Sequence, residues 1–211
     1  MSYCLILNPA AGRGEAARKK DALVRAFDNI APNLEVHITA APGDARKIAG
    51  RYRDAGQVVI VAGGDGTVHE VINGLVGGNA AMGVIPIGSG NDFVKMLSLP
   101  TELGDAINVI KANRRKKIDL GKINDVWFSN GLGIGFDADV VVEANKIERL
   151  RGFLIYLVAV LKTLRTFTNR TVKIEVDNTI VEKSIFMISV GNGSCQGGGF
   201  YLTPDAKIDD G

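Results

Sequence analysis

One short segment constrains this chain more than any other: the glycine-rich turn GGDGT at residues 63–67, between an apolar run and a helix-like stretch. The run before it, residues 58–62, is rich in β-branched residues and too short for a helix, so it predicts a buried strand. Beyond the turn, apolar side chains recur at helical spacing from Val68 to Leu75. The segment therefore predicts a strand, a tight turn and a helix in succession.

This turn has the composition of an anion site. Backbone N–H groups can line a concave turn, and the start of a helix adds partial positive charge. Glycines let the backbone approach a phosphate with no Cβ in the way. The acid of the turn, Asp65, is placed to hold Mg²⁺ or to position a phosphoryl group. An alternative stays open, because Thr67 and Glu70 also fit a capping box that satisfies helix donors.

The first half of the chain alternates between predicted strands and predicted helices. The strands are predicted at 3–7, 34–39, 58–62 and 81–86, and the helices at 15–29, 44–53, from 67, 91–97 and 102–111. Such alternation predicts parallel βαβ units in a layered α/β sheet. Ligands bind beyond the carboxyl ends of such strands. We therefore expect the loops at Asn8, Thr39, 63–67 and 88–92 to converge on one edge.

The second half is predicted to be mostly β, with helical insertions. Strands are predicted at 117–122, 126–130, 171–176 and 180–190, and helices at 137–149 and 153–167. Asp177 and Asn178 predict a hairpin turn. The basic tetrapeptide RRKK at 114–117 separates the two halves, so we predict an α/β domain over residues 1–115 and a β-rich domain over 116–211.

Composition excludes several classes of protein. A net charge of +2 is too small to argue for nucleic acid. Cys4 and Cys195 form no disulfide framework and no metal spacing, so a reducing cytoplasm is expected. The apolar run at 153–161 falls short of the ~20 residues that a membrane span needs. Any contact with a membrane is therefore expected from its surface.

Two further loops are ambiguous. Residues 12–17 fit the GxGxxA pattern of dinucleotide sites, but the predicted second strand has no acid at its tip, which disfavours such a site. Pro9 and Gly12 then shape either a loop around a nucleotide or a plain strand-to-helix turn. In GSGND at 88–92, Ser89 or Asn91 could serve as a helix cap, so a phosphate role and a structural role stay open.

The two histidines are predicted to be structural. His37 lies on a predicted strand and His69 in the helix after GGDGT, and neither has a matched catalytic partner in the sequence. No P-loop, protein-kinase or nucleophile-elbow pattern is present in the sequence. A P-loop mechanism and a protein kinase are therefore excluded, and hydrolase chemistry is unsupported.

The larger pattern resembles the catalytic domain of diacylglycerol kinases. GGDGTVHEVINGL at 63–75 resembles the central motif of that family, and NPAAG at 8–12 and PIGSGNDF at 86–93 resemble its first and third motifs. GGGF at 197–200, PDA at 204–206 and DDG at 209–211 resemble later ones. The order and spacing hold along the chain, and are most similar to the bacterial lipid kinases. GGDGT alone is shared with NAD kinases.

This resemblance implies a phosphoryl transfer from ATP, with Mg²⁺, to the hydroxyl of a lipid such as diacylglycerol. It implies that Asp65 and Asp92 are catalytic and hold Mg²⁺, and that Asp205, Asp209 and Asp210 lie near a second, structural metal. The implied nucleotide-binding residues are Asn8, Pro9, Gly12, Thr39, Gly63, Gly64, Gly66, Thr67, Glu70, Gly88, Ser89 and Asn91. The family threonine is Ser89 here, which keeps the hydroxyl.

The resemblance also carries expectations about partners and about the base. The general base of the family belongs to an Asp-Gly-Glu motif, which we expect beyond Gly211 in a longer protein. A lipid alcohol and the inner membrane surface are the expected partners, without nucleic acid, and a homodimer is left open. The basic residues at 114–117 form either a solvated face or a contact with anionic lipid, and the run at 153–161 is either core or a lipid-tail groove.

Two other functions stay open. A soluble-metabolite kinase of the NAD kinase kind shares GGDGT, and a non-catalytic nucleotide-binding module would need no base. The acceptor that receives the phosphoryl group separates the first from a lipid kinase, and binding without transfer would identify the second.

Overall fold

Strands and helices alternate along the first part of this computed structural model, which describes residues 2–147, 153–195, 197 and 200–211. The strands in these residues are β1 (Tyr3–Leu7), β2 (Glu35–Ile38), β3 (Val58–Gly63), β4 (Ala81–Pro86), β5 (Gly121–Ile123), β6 (Val126–Phe128), β7 (Gly131–Gly135), β8 (Arg170–Val176), β9 (Thr179–Ile185) and β10 (Met187–Gly191). The helices are α1 (Ala11–Phe27), α2 (Asp44–Gly50), α3 (Asp65–Leu75), α4 (Asp92–Met96), α5 (Leu103–Ala112), α6 (Phe136–Ala144) and α7 (Phe153–Thr166).

A parallel sheet in the order β2-β1-β3-β4 forms the centre of the first part of the chain. All residues of β1 and β3 are buried, which is why both read as continuous apolar runs in the sequence. The prediction of a layered α/β fold with a parallel sheet is therefore confirmed. The carboxyl ends of the four strands point to the same edge of the sheet.

The two faces of this sheet carry separate apolar clusters. Side chains of a strand alternate between faces, so Ile6 and Val61 pack with α2 and α3, whereas Leu5 and Ile60 pack with α1 and α5. Each fully buried aliphatic side chain stabilises the fold by about 1.5–3 kcal/mol. The core thus fixes the strands between two helical layers, and with them the loops at their ends.

Helices α2 and α3 approach each other unusually closely at Gly74. A Cβ on this residue would lie 2.5 Å from the backbone oxygen of Arg46 and 2.7 Å from the Cβ of Ala49. Neighbouring Asn73 is buried and contacts β6, where its side chain accepts the N–H of Trp127 and donates to the carbonyl of Trp127, both at 2.9 Å. Asn73 and Gly74, at the end of α3, therefore join this helix to β6 and α2.

The contacts divide the chain into two compact units, Met1–Gly131 with Gly191–Gly211, and Leu132–Val190. The boundary predicted after residue 115 stays a prediction. In the second unit β7 pairs with β10, α6 packs on α7, and β8 and β9 form an antiparallel hairpin. Val176 pairs with Thr179, so the predicted turn at Asp177 and Asn178 is confirmed.

Several predicted boundaries in the second half were wrong. The strand predicted at 180–190 is interrupted at Phe186, because β9 pairs with β8 whereas β10 pairs with β7. The strand predicted at 117–122 is observed only at Gly121–Ile123. Strand β7 was missed, because its sequence GLGIG is poor in strand-favouring residues. Residues 148–149 of the helix predicted at 137–149 lie outside the described residues, and so do residues 198–199 of the GGGF motif.

Gly74→Ala should lower the free energy of unfolding by about 1–3 kcal/mol, because the added methyl would meet backbone atoms of α2 that cannot rotate away. Urea denaturation monitored by circular dichroism measures the change. Gly104→Ala is the matched control, since this helical glycine has open space around its Cβ position within the described structure. The control should be neutral or stabilising. Equal destabilisation by both substitutions would contradict the prediction.

Candidate functional site

Four loops meet in one cleft of about 610 Å³ at the carboxyl edge of the parallel sheet. They follow β1, β2, β3 and β4, so the predicted convergence is confirmed. The predicted site residues that line the cleft are Asn8, Pro9, Gly12, Thr39, Gly64, Asp65, Gly66, Thr67, Glu70, Gly88 and Ser89. Gly63, Asn91 and Asp92 are not among the described residues that line it.

Glycines of the GGDGT turn and of the GSGND loop allow the two backbones to contact each other. A Cβ on Gly64 would lie 3.1 Å from the Cα of Gly88, and a Cβ on Gly88 would lie 2.6 Å from the Cα of Gly64. A Cβ on Gly63 would meet Thr67 at 2.7 Å. Gly66, by contrast, has no atom of the described structure within 4 Å of its Cβ position and lines the cleft. Gly63 and Gly64 thus serve packing, whereas Gly66 leaves space for a ligand.

Asp65 joins the GGDGT loop to the GSGND loop. Its Oδ1 accepts the backbone N–H of Phe93 at 3.2 Å, in the first turn of α4. Its Oδ2 faces Gly90, where a Cβ would lie 2.8 Å from this oxygen and 3.7 Å from the Oδ2 of Asp92. The two carboxylates therefore converge beside a residue that has no side chain.

Asp92 is buried, with 6% of its surface exposed. Its Oδ1 lies 3.8 Å from the Nζ of Lys95 and 3.7 Å from the Sγ of Cys195, whose thiol donates to it. Burial, and then the charge of Asp92, raise the pKa of this thiol above its ordinary value. Carboxylate oxygens are the ligands that Mg²⁺ prefers, so the donor chemistry of Asp65 and Asp92 fits the predicted metal.

The first motif is cross-linked to the second through Asn8. Its amide donates to the Oγ1 of Thr67 at 2.9 Å, and its Oδ1 accepts the N–H of Ala10 at 3.0 Å. The chain then passes through three left-handed residues, Gly12, Arg13 and Gly14. A Cβ on Gly12 would lie 3.0 Å from both Glu15 and Ile87. Glycine at this position lets the loop fold onto the end of β4.

Glu70 lines the cleft and binds backbone N–H groups of a neighbouring loop. Its carboxylate therefore does not form the capping box that the sequence left open. Helix α3 begins at Asp65, and the carboxylate of Glu70 accepts the N–H groups of Gly43 at 2.8 Å and Ala45 at 3.1 Å instead. Asp44 accepts the N–H groups of Ala40 and Ala41, which hold the pKa of its carboxyl below the ordinary value. The loop from β2 to α2 is thus ordered by two carboxylates.

Asn91 closes the GSGND loop on itself. Its backbone is left-handed, its Oδ1 accepts the N–H of Gly88 at 2.9 Å, and its Nδ2 donates to the carbonyl of Gly88 at 2.9 Å. Asn91 occupies the N-cap position of α4, as one interpretation of the sequence had it, but its side chain makes no capping hydrogen bond, and Asp65 accepts the N–H of Phe93 instead. Ser89 lines the cleft.

His37 has a partner that the sequence did not reveal. Its Nε2 lies 2.5 Å from the hydroxyl of Tyr52, which donates to Glu35. Burial raises the pKa of Tyr52, and the hydrogen bond from Tyr52 lowers the pKa of Glu35. Strand β2 and the turn after α2 supply this cluster, and the structural role of His37 stays a prediction.

The acids near residue 210 are tied to the segment before β5. Asp209 pairs with Lys116 at 2.8 Å, and Asp119 accepts the N–H of Gly211 at 2.8 Å. Asp119 was missed, because nothing in its sequence context distinguishes it from a surface acid. Within the described residues no group of three or more His, Cys, Asp or Glu could hold a metal ion. The metal roles of Asp65, Asp92, Asp209 and Asp210 stay predictions.

Comparison with known sequences identifies the family. The sequence profile of the diacylglycerol kinase catalytic domain matches residues 2–123. The chain belongs to the diacylglycerol kinase catalytic domain family. A second profile, the YegS C-terminal NAD kinase beta sandwich-like domain, matches residues 131–211, which agrees with the β-rich second half. The resemblance drawn from the sequence motifs is therefore confirmed.

Bacterial relatives of this diacylglycerol kinase family member extend the match. The chain is 32% identical over 211 residues to a diacylglycerol kinase of Staphylococcus carnosus, covering 98% of this chain and 69% of the relative. It is 33% identical over 214 residues to "Probable lipid kinase YegS-like" of Cronobacter sakazakii, covering 98% and 71%. A crystal structure of a diacylglycerol kinase from Bacillus anthracis superimposes with a TM-score of 0.78 at 33% identity, covering 100% of this chain and 70% of that one.

Glu70→Ala should lower the free energy of unfolding by about 1–3 kcal/mol, because two backbone N–H groups at the start of α2 lose their acceptor. Glu70→Gln keeps one acceptor oxygen and should lose less. Thermal and urea unfolding measure both changes. Glu102→Ala, at an exposed glutamate, is the control and should stay within about 0.5 kcal/mol of the parent. Equal losses in Glu70→Ala and the control would refute the role of Glu70.

Proposed function

We propose that this chain transfers the γ-phosphoryl group of ATP to the hydroxyl of a lipid alcohol such as diacylglycerol, with Mg²⁺. The observation that carries the proposal is the convergence of the Oδ2 atoms of Asp65 and Asp92 beside Gly90, at the edge of the cleft. Family membership supports a kinase, and the names of the bacterial relatives support a lipid as the acceptor.

The cleft supplies the groups that phosphoryl transfer needs. Such transfer depends on positioning and charge neutralisation more than on covalent help from the protein. The N-terminus of α3 and the backbone at Gly64 and Gly66 offer N–H groups and partial positive charge for phosphates. Asn8, Thr39, Thr67 and Ser89 orient the nucleotide by hydrogen bonds.

Asp65 and Asp92 would hold Mg²⁺ in this proposal. When bound, the ion neutralises charge on the transferring phosphoryl group and orients it. Asp65 keeps its orientation through the N–H of Phe93, and Asp92 through Lys95 and Cys195. The two Oδ2 atoms are therefore directed before any ligand arrives. The acceptor hydroxyl loses its proton to a general base as its oxygen bonds to the phosphorus, and the identity of that base stays a prediction.

Asp65→Asn should reduce phosphoryl transfer by about 10³-fold or more, since it removes the charge on a proposed metal ligand. The amide oxygen still accepts the N–H of Phe93, so the fold should be retained. The measurement is transfer of radiolabel from ATP to diacylglycerol in mixed micelles, with NAD as a competing acceptor. Asp54→Asn, at an exposed aspartate, controls for loss of charge.

Near wild-type transfer by Asp65→Asn would contradict the proposal. Labelling of NAD and not of the lipid would favour the soluble-metabolite kinase. ATP binding with no transfer to either acceptor, in a chain of native length, would favour a binding module.

We also propose that the enzyme reaches its lipid at an anionic membrane surface, from the cytoplasmic side, through α7. Leu154, Leu157, Leu161 and Leu164 follow one another at spacings of three and four residues and are 39–58% exposed. This spacing places them along one face of the helix. Ala159 in this run and Thr163 beyond it are buried, so the other face of α7 packs against the protein.

Charge favours an anionic lipid surface as the occupant of this apolar stripe. Helix α7 has no acidic residue and contains Arg165 and Lys162, of which Lys162 pairs with Glu143 at 3.1 Å. A helix with an apolar stripe and basic flanks is typical of interfacial helices, and each basic residue near such a surface adds about 1 kcal/mol. No helix in the described ranges has the length and hydropathy needed to cross a bilayer.

Replacing both Leu157 and Leu161 with Gln should lower binding to phosphatidylglycerol vesicles by about tenfold or more, because apolar area leaves the lipid phase. Vesicle sedimentation measures the binding, with phosphatidylcholine vesicles for comparison. The matched control replaces Val176 and Ile180 with Gln, at exposed apolar positions of the β8–β9 hairpin. Unchanged vesicle binding together with loss of a dimer, detected by light scattering, would assign the stripe to a second copy and contradict the proposal.

A further inference from the structure

The segment at residues 192–195 contacts the proposed magnesium site through Cys195. Residues 192–195 follow β10 and are held by side-chain amides. The Nδ2 of Asn192 donates to the carbonyls of Asp119 at 2.9 Å and Ser129 at 2.7 Å, and the Nδ2 of Asn130 donates to the carbonyl of Cys195 at 3.3 Å. These bonds fix the position of the Cys195 backbone.

The same segment lies directly against α4. A Cβ on Gly193 would lie 1.6 Å from the Sδ of Met96, so the bare backbone of this glycine occupies the space. Helix α4 begins with Asp92. The contact therefore sets the distance between the segment that carries Cys195 and the helix that carries the carboxylate.

Cys195 delivers its thiol to one oxygen of Asp92. Both residues are buried, with 3% and 6% of their surfaces exposed, and the Sγ donates to Oδ1 at 3.7 Å. Lys95 lies 3.8 Å from the same oxygen. The two contacts act on Oδ1, whereas Oδ2 lies on the side of Gly90 and Asp65.

Building on the proposed kinase function, we infer that Cys195 is a positioning residue, whose thiol holds Oδ1 of Asp92 so that Oδ2 is directed toward Asp65 and the metal. A cysteine that only filled the core would be replaceable by alanine at a cost in stability alone. A positioning cysteine needs a donor, so serine would replace it and alanine would not. A hydroxyl is a stronger donor than a thiol and is slightly shorter.

The test compares Cys195→Ala and Cys195→Ser with the parent and with Cys4→Ala. Cys4 is fully buried in β1, so its truncation controls for the loss of a buried thiol. One readout is the Mg²⁺ concentration that gives half-maximal transfer to diacylglycerol, at saturating ATP. The other is the rise in Tm that Mg²⁺ produces in the presence of a non-transferable ATP analogue, which needs no turnover.

Cys195→Ala should raise the half-maximal Mg²⁺ concentration by about three- to tenfold, the factor that corresponds to a weak hydrogen bond to a charged group. It should also shrink the Tm rise, and leave the half-saturating lipid concentration unchanged. Cys195→Ser should return the Mg²⁺ requirement to within about twofold of the parent. Cys4→Ala should lower Tm and leave the Mg²⁺ requirement as it was.

An unchanged Mg²⁺ requirement in Cys195→Ala would overturn the inference, and so would equal behaviour of the alanine and serine variants. In either case an active parent would still support the proposed function. If the parent protein transfers no phosphoryl group but its Tm rises with Mg²⁺, the proposed function is contradicted. The Tm rises of the variants then decide the inference about Cys195. A parent with neither transfer nor Tm rise would overturn both.

Discussion

The contact between the backbones of Gly64 and Gly88 is the constraint on which the site depends. Because neither residue has a Cβ, the loops after β3 and β4 meet with their Cα atoms in contact. This contact brings Asp65 within reach of the N–H of Phe93 and places Gly90 between two carboxylates. A methyl group at either glycine would separate the loops, and with them the acids.

The signature helix α3 contributes to the site mainly as a scaffold. Asp65, Gly66, Thr67 and Glu70 line the cleft, and the later residues of its motif join neighbouring elements. Glu70 binds the start of α2, Asn73 binds β6, and Gly74 lets α2 approach. The later residues of the motif therefore align the GGDGT turn with the start of α2 and with the β5–β6 hairpin.

The sequence was most informative where local patterns decide the structure. The apolar runs of β1 and β3 are buried on both faces, so composition alone identified them, and the alternation with helices predicted the parallel sheet. Convergence of the loops followed from the shared direction of the strands. The glycine motifs then predicted most of the residues that line the cleft.

What the sequence could not reveal were contacts between distant residues. Glu70 and Thr67 formed a convincing capping box, but Glu70 binds N–H groups 25 and 27 residues away. Cys195 reaches Asp92 over 103 residues, and no spacing rule predicts such a pair. Strand β7 was missed because its pairing with β10, and not the strand propensity of GLGIG, stabilises it.

The absence of a side chain at Gly74 has a mechanical consequence. At Gly74 helix α3 contacts the backbone of α2, and Glu70 accepts N–H groups at the start of α2. Sliding one helix past the other would therefore break both the backbone contact and these hydrogen bonds. The GGDGT turn and the wall formed by residues 39–45 are therefore coupled. Any opening of the cleft between them must bend the loops, because the two helices move as one body.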